Sequence, residues 1–205
     1  MEFFTWLEHS EFPMWIKESD SIWPYDLLCL SAHAIGMALL VGVSAAVALR
    51  ILGFAPNLPL APMERFFPVM YAGFWVNAVS GAGLFICYPV KAVTNPLFYL
   101  KLGGVAVAVV CVRRLRRQVF GNPECLGTRP VPMNGKILAG TLLFVWFVTI
   151  TAGRMMAYRG VGAAEWEAPI AILVVAGVML LVGYAATRLL SWSQPSQVQP
   201  SQVDV

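Results

Sequence analysis

The chain has 205 residues, 59% of them hydrophobic and only 12% charged, with a mean hydropathy of +0.70. That composition excludes an ordinary water-soluble domain and a disordered chain, both of which are more polar. The net charge of +3 comes from short basic segments between apolar runs, which reads as topology and contact with anionic lipid, with no nucleic-acid partner.

Residues 1–24 form the first segment. Phe3, Phe4, Trp6, Leu7, Phe12, Trp15 and Ile16 alternate with Glu2, Glu8, Glu11 and Lys17, and Pro13 fits the first turn of a second short helix. The pattern predicts an amphipathic helix lying flat on the membrane interface, as an anchor more than a lid. It has no basic n-region or apolar h-region, so it does not read as a secretory signal.

Five apolar runs follow, at roughly 26–52, 66–90, 97–112, 137–158 and 168–190. About 20 helical residues cross a hydrocarbon core of about 30 Å, and four of the runs reach that length comfortably. The third is the shortest and spans if Lys101 snorkels to the headgroups. The alternative is a four-span chain whose third run is re-entrant. The expected fold is an all-α integral membrane protein: a five-transmembrane-helix bundle over 25–190, with a disordered tail over 191–205. The tail repeats Pro-Ser-Gln-Val and is poor in apolar residues.

Charge predicts the orientation. Arg113, Arg114, Arg116, Arg117, Arg129 and Lys136 crowd the segment between the third and fourth runs, which the positive-inside rule makes cytoplasmic. Most acidic residues then fall outside, giving N-out/C-in. Small residues four apart (Ala32 and Gly36, Gly42 and Ala46, Gly73 and Asn77, Gly104 and Ala108) predict close helix approaches.

The polar residues within the runs are the candidate site. His33 lies seven positions past Asp26, roughly 10 Å below the outer surface. Lys101 and Arg154 lie at similar depth, with Tyr158 on the face of Arg154. Asn77 lies near the middle of the second run, with Ser80 and Gly81 on its stripe. His33, Lys101, Arg154 and Tyr158 are therefore expected to converge in the outer half, as a cationic pocket for an anionic or electron-rich ligand. Each has a plainer reading: His33 bonded to a neighbouring helix, Lys101 snorkelling, Arg154 with Tyr158 as an interfacial anchor, Asn77 as an interhelical hydrogen bond.

For His33, three ligand chemistries stay open. Haem b would need a sixth ligand from His9, Met37, Met155, Met156 or a partner, or a five-coordinate iron, with Lys101 and Arg154 on the propionates. A quinone carbonyl would take hydrogen bonds from the same cations. Cu(I) would prefer sulfur and imidazole from Cys29, His33, Cys87 and Met155 or Met156. Cys29 and His33, four apart, share a helical face, and a Cys29–Cys87 disulfide is a further possibility. A structural or assembly subunit without a cofactor is the other reading.

There is no phosphate-binding glycine loop, H-E-x-x-H, G-x-S-x-G or paired C-x-x-C, and no intramembrane carboxylate, since Asp26 stands at the outer edge of the first run. The chain does not read as an enzyme on its own. Other membrane or periplasmic subunits are the expected partners.

Several phrases occur together: Trp6–Glu8, His33 in a run ending Leu-Arg-Ile-Leu-Gly (49–53), Gly81-Ala-Gly-Leu-Phe85, Asn95-Pro-Leu-Phe-Tyr-Leu-Lys101, and Ala152-Gly-Arg-Met-Met-Ala-Tyr158. As a set, over roughly 3–160, they resemble a family of bacterial inner-membrane proteins of uncharacterised function, distantly similar to the CopD copper-resistance membrane proteins. The resemblance implies a location in the bacterial inner membrane and a multi-pass topology. It makes His33, Asn95, Lys101 and Arg154 signature positions.

Overall fold

A computed structural model describes residues 1–126 and 131–156. The fifth run and the tail lie outside the described residues, as do Arg129, Tyr158 and the loop residues 159–167. Among the described residues the chain is all-helical, and four helices are long and apolar enough to cross a membrane.

Two short helices open the chain, α1 (Glu2–Glu8) and α2 (Glu11–Glu18). The first membrane helix begins with a π-helical stretch, Trp23–Ser31, and continues as α3 (Ala32–Leu52). The wide winding is visible in the bond from Leu27 N–H to the Ile22 carbonyl, five residues back. Gly53 ends α3 in a left-handed conformation at φ 98°, and Phe54 N–H reaches back to the Leu49 carbonyl at 3.0 Å. This six-to-one closure explains why Leu-Arg-Ile-Leu finishes on glycine, the residue that tolerates positive φ without a Cβ penalty. Arg50, one turn earlier, is buried and donates to the carbonyls of Pro56 and Leu58, which ties down the loop after the helix.

Helix α4 (Phe67–Cys87) follows a 3₁₀ turn at Ala61–Phe66, and a single turn, α5 (Pro89–Val93), leads to α6 (Pro96–Leu115). Asn95 is the N-cap of α6: its side chain accepts from Leu97 N–H at 3.0 Å, and Pro96 occupies the first turn. Its place in the Asn-Pro-Leu-Phe phrase thus has a structural cause. The third run is longer than its apolar letters suggest, because α6 continues through a π-helical turn at Arg116–Phe120 and the whole span covers 25 residues. Leu115, Val119 and Phe120 turn inward while Arg113, Arg114, Arg116 and Arg117 stay exposed, so the basic residues are the outer face of a real helix end. Arg116 lies over the Phe67 ring, whose edge-on partner is Phe120 at 5.0 Å. The last described helix is α7 (Met133–Met155).

The four long helices run alternately up and down. α3 packs on α4 and α7, and α6 packs on α7, which leaves α4 and α6 on the flanks of a central α3–α7 pair. The α3–α4 seam is a backbone contact. A Cβ on Gly36 would stand 2.6 Å from Asn77 N, and one on Gly73 would stand 2.9 Å from the Gly36 carbonyl. Gly104 opens the same kind of room for Thr149 of α7. Gly42, by contrast, has nothing within 4 Å of its would-be Cβ, and both it and Ala46 are exposed. That pair does not mediate a helix approach among the described residues, because it faces away from the α3–α4 seam.

Two apolar clusters result. The larger, including Leu40, Val47, Ile51, Phe67, Met70, Leu115, Leu142 and Trp146, fills the end with the basic cluster. The smaller, Ile16, Cys29 and Cys87 with Tyr25 and Leu84, sits under α2 at the opposite end. Between them lies a polar layer.

Candidate functional site

The polar layer is built by three helices. On α4 the Asn77–Ser80 stripe faces α3, and His33, the second residue of α3, enters it just after the π-helical stretch. Asn77 Nδ2 donates to the His33 carbonyl at 2.9 Å, and His33 Nδ1 lies 3.1 Å from the Asn77 carbonyl and 3.3 Å from Ser80 Oγ. A carbonyl only accepts, so Nδ1 carries the hydrogen and Nε2 keeps its lone pair. Nε2 accepts from Lys101 Nζ of α6 at 3.3 Å. The imidazole is thus fixed in tautomer and orientation by α4 and engaged on its other nitrogen by α6.

Lys101 does not snorkel toward the headgroups, as the sequence led us to expect; it turns inward. The lysine stem passes over Gly153 on α7, with Cδ 3.6 Å from where a Cβ would be, an ordinary contact distance. A branched residue there would crowd the path. Gly81 plays the equivalent part for His33, whose Cε1 lies 3.0 Å from its would-be Cβ, and Gly83 accommodates Cys29 Sγ at 2.9 Å. The Gly81-Ala-Gly phrase is therefore the floor on which His33 and Cys29 rest.

Beside this pair opens a cavity of about 510 Å³, lined by Tyr25, His33, Phe85, Tyr88, Phe98 and Lys101 among others. Phe85 stacks on Phe98 with centroids 5.6 Å apart and planes 15° apart, and Tyr25 meets Tyr88 edge-on. Lys91, exposed, stands at the mouth. The lining holds two lysines and no carboxylate among the described residues. An apolar, aromatic-walled chamber with a few convergent polar donors is the usual form of a small-molecule site.

The N-terminal helices close over this end. Phe4 stands edge-on to Phe85, Pro13 and Ile16 are buried, and Lys17 donates to the Glu8 carbonyl at 3.0 Å while lying over the Tyr88 ring. Phe3, Trp6, Phe12 and Trp15 point away and are more than half exposed.

The predicted site residues thus separate into groups. His33, Lys101 and Asn77 come together. Met156 lines the same cavity, whereas Met155 is half-buried and is not part of the lining. Arg154 does not join them: Gly153 and Met156 take the inward positions of α7, and the intervening residue projects outward and is exposed. Tyr158 lies outside the described residues. Cys29 and Cys87 share the small cluster beneath Ile16 as free thiols, both buried. Among the described residues no three His, Cys, Asp or Glu side chains converge as a metal site would require. Sequence reasoning missed the aromatic wall, although Phe85 and Phe98 lie within two of the phrases it singled out.

No known protein family, curated protein or solved structure matches the chain. The function of the site therefore rests on its own residues.

Proposed function

We propose that this chain is a membrane-embedded subunit of a bacterial inner-membrane redox system, and that the His33–Lys101 cavity binds the head group of a quinone. The observation that supports it most is the engagement of both imidazole nitrogens. With Nδ1 donating to Asn77 and Nε2 facing an ammonium, His33 is not presented as a bare metal ligand. What faces the cavity is a hydrogen-bond donor, Lys101, backed by an acceptor that can exchange a proton with it. The cavity of about 510 Å³ has the volume for a planar ring bearing carbonyl oxygens, and both the Phe85–Phe98 pair and Lys101 belong to its lining. An ammonium also stabilises the negative charge that grows on a carbonyl oxygen during reduction.

Quinone reduction takes up two electrons and two protons. In this reading the chain supplies binding, orientation and the His33–Lys101 proton pair, and the electrons come from a partner subunit. The basic cluster at the far end favours N-out/C-in, which puts the cavity toward the outer face under its N-terminal cover. The exposed aromatics of α1 and α2 suit the membrane interface.

Haem b is a second reading, favoured by the presence of Met156 in the same cavity as His33. It would require Lys101 to leave Nε2 and pair with a propionate. The copper reading has less support, since Cys29 and Cys87 are buried under Ile16 and no three His, Cys, Asp or Glu side chains converge among the described residues.

The test is to purify the protein in mild detergent, record reduced-minus-oxidised visible spectra, and quantify quinone in a solvent extract. Co-purifying quinone that is lost in His33→Ala supports the proposal. A Soret band with split α/β bands would replace it with the haem reading, and a colourless, quinone-free, metal-free protein would leave a structural subunit.

A further inference from the structure

A second, narrower crevice lies along the same flank of the bundle. It has a volume of about 100 Å³ and is lined by Leu40, Met70, Phe74, Trp75, Val109 and Trp146 among others, with Arg113 at its far end. Most of its lining comes from α4 and α6, with Leu40 of α3 and Trp146 of α7 between them, and α4 and α6 also contribute to the His33 cavity. Both openings therefore occupy the gap left because α4 packs on α3 and α6 packs on α7. The spacing is short. Phe74 is seven residues from Gly81 on α4 and Val109 is eight from Lys101 on α6, roughly 10–12 Å along the helix axes. The two sites differ in character. Both are lined with aromatic side chains, but the His33 cavity is wide and holds two lysines, whereas the crevice is about one fifth the volume, has its one cation at the end, and has room for a chain more than for a ring system.

We infer that the two openings are one binding site, with the isoprenoid tail of a long-chain quinone laid along the α4–α6 seam from the His33 cavity into the Trp75–Val109 crevice. The inference rests on the reading of the His33 cavity as a quinone head-group site. It adds a specificity: long-tailed quinones over short ones, with the tail directed toward the end that carries Arg113. The bilayer tempers the size of the preference. A hydrocarbon chain that leaves lipid for the seam exchanges one apolar medium for another, so packing and not water exclusion sets the gain. The expected advantage of a long tail is about tenfold in affinity, far less than transfer from water would give.

The experiment measures binding of two benzoquinones, one with a methyl in place of the tail and one with several isoprene units, to the protein in lipid nanodiscs. Wild type is compared with Val109→Phe, which plugs the crevice, with Trp75→Leu, which trims its wall, and with Lys101→Met. The expected result is an approximately tenfold preference for the long-tailed quinone, abolished in Val109→Phe and reduced in Trp75→Leu, with the tail-less affinity unchanged in both. Two different substitutions at half-buried and exposed positions guard against a fold defect in either one. Equal affinity for both quinones in wild type, or a preference untouched by both crevice variants, would overturn the tail assignment while leaving the head-group reading in place. Retention of a phospholipid that long-tailed quinone fails to displace would overturn it too, by making the crevice an acyl-chain site. Failure of both quinones to bind would instead remove the head-group reading on which the inference stands.

Discussion

His33 and Asn77 hold each other through two opposed hydrogen bonds across the α3–α4 seam. The Asn77 side chain donates to the His33 carbonyl at 2.9 Å, and the His33 ring donates to the Asn77 carbonyl at 3.1 Å. One bond uses a side chain of α4 and the other a side chain of α3, so the two can be removed separately. Asn77→Ala deletes only the first. We expect a loss of about 1 kcal/mol of stability, typical of interhelical hydrogen bonds in membranes, with the His33 ring still oriented by the backbone carbonyl. Unfolding in a denaturing-detergent titration measures the stability, and ligand affinity should stay within about twofold of wild type.

The backbone contact beneath that pair is stricter. Gly36→Ala places a methyl 2.6 Å from Asn77 N, backbone that cannot give without separating the helices. The expected cost is about 2 kcal/mol or more, together with loss of ligand binding as His33 moves away from α4. Gly42→Ala, on another face of the same helix, meets nothing within 4 Å among the described residues and should be neutral or slightly stabilising. If both substitutions cost the same in the denaturing titration, the seam is not where α3 and α4 meet.

Arg154 and Lys101 make a contrast that the sequence alone did not offer. Both are cations about a turn from the end of a span, but only Lys101 reaches His33, its stem lying along Gly153. Gly153→Val should therefore mimic the loss of Lys101 in binding assays, while Arg154→Ala should leave the quinone affinity unchanged.

The thiols give a check on the N-terminal cover. Cys87 is fully buried and Cys29 is nearly so, both under Ile16. A membrane-permeant maleimide should label neither in the native protein. Ile16→Ala or removal of residues 1–18 should open Cys87 to rapid labelling. Fast labelling of both in wild type would mean that α2 does not lie over this end.

Much of the architecture was legible in the sequence because apolar length and periodicity are set by the bilayer. Four of the runs correspond to the four long helices, and depth grouped His33 and Lys101 together with Arg154 and Tyr158, of which only the first two are seen to meet among the described residues. What stayed hidden depended on direction around the helix. The inward turn of Lys101 is permitted by a glycine on another helix, and the outward turn of Arg154 follows from its inward neighbours Gly153 and Met156. Neither is a property of the residue's own segment. The third span looked short because its last turns carry arginines. Periodicity over Leu115, Val119 and Phe120 would have extended it, since those three face inward together.

The central claim is tested most directly by titrating a tail-less benzoquinone into purified protein and following saturable binding, for wild type beside Lys101→Met. The account predicts one site per chain in wild type and a loss of about 10- to 100-fold in the variant, the worth of one hydrogen bond from a charged donor. Absence of saturable binding, or equal affinity in the two proteins, would contradict it.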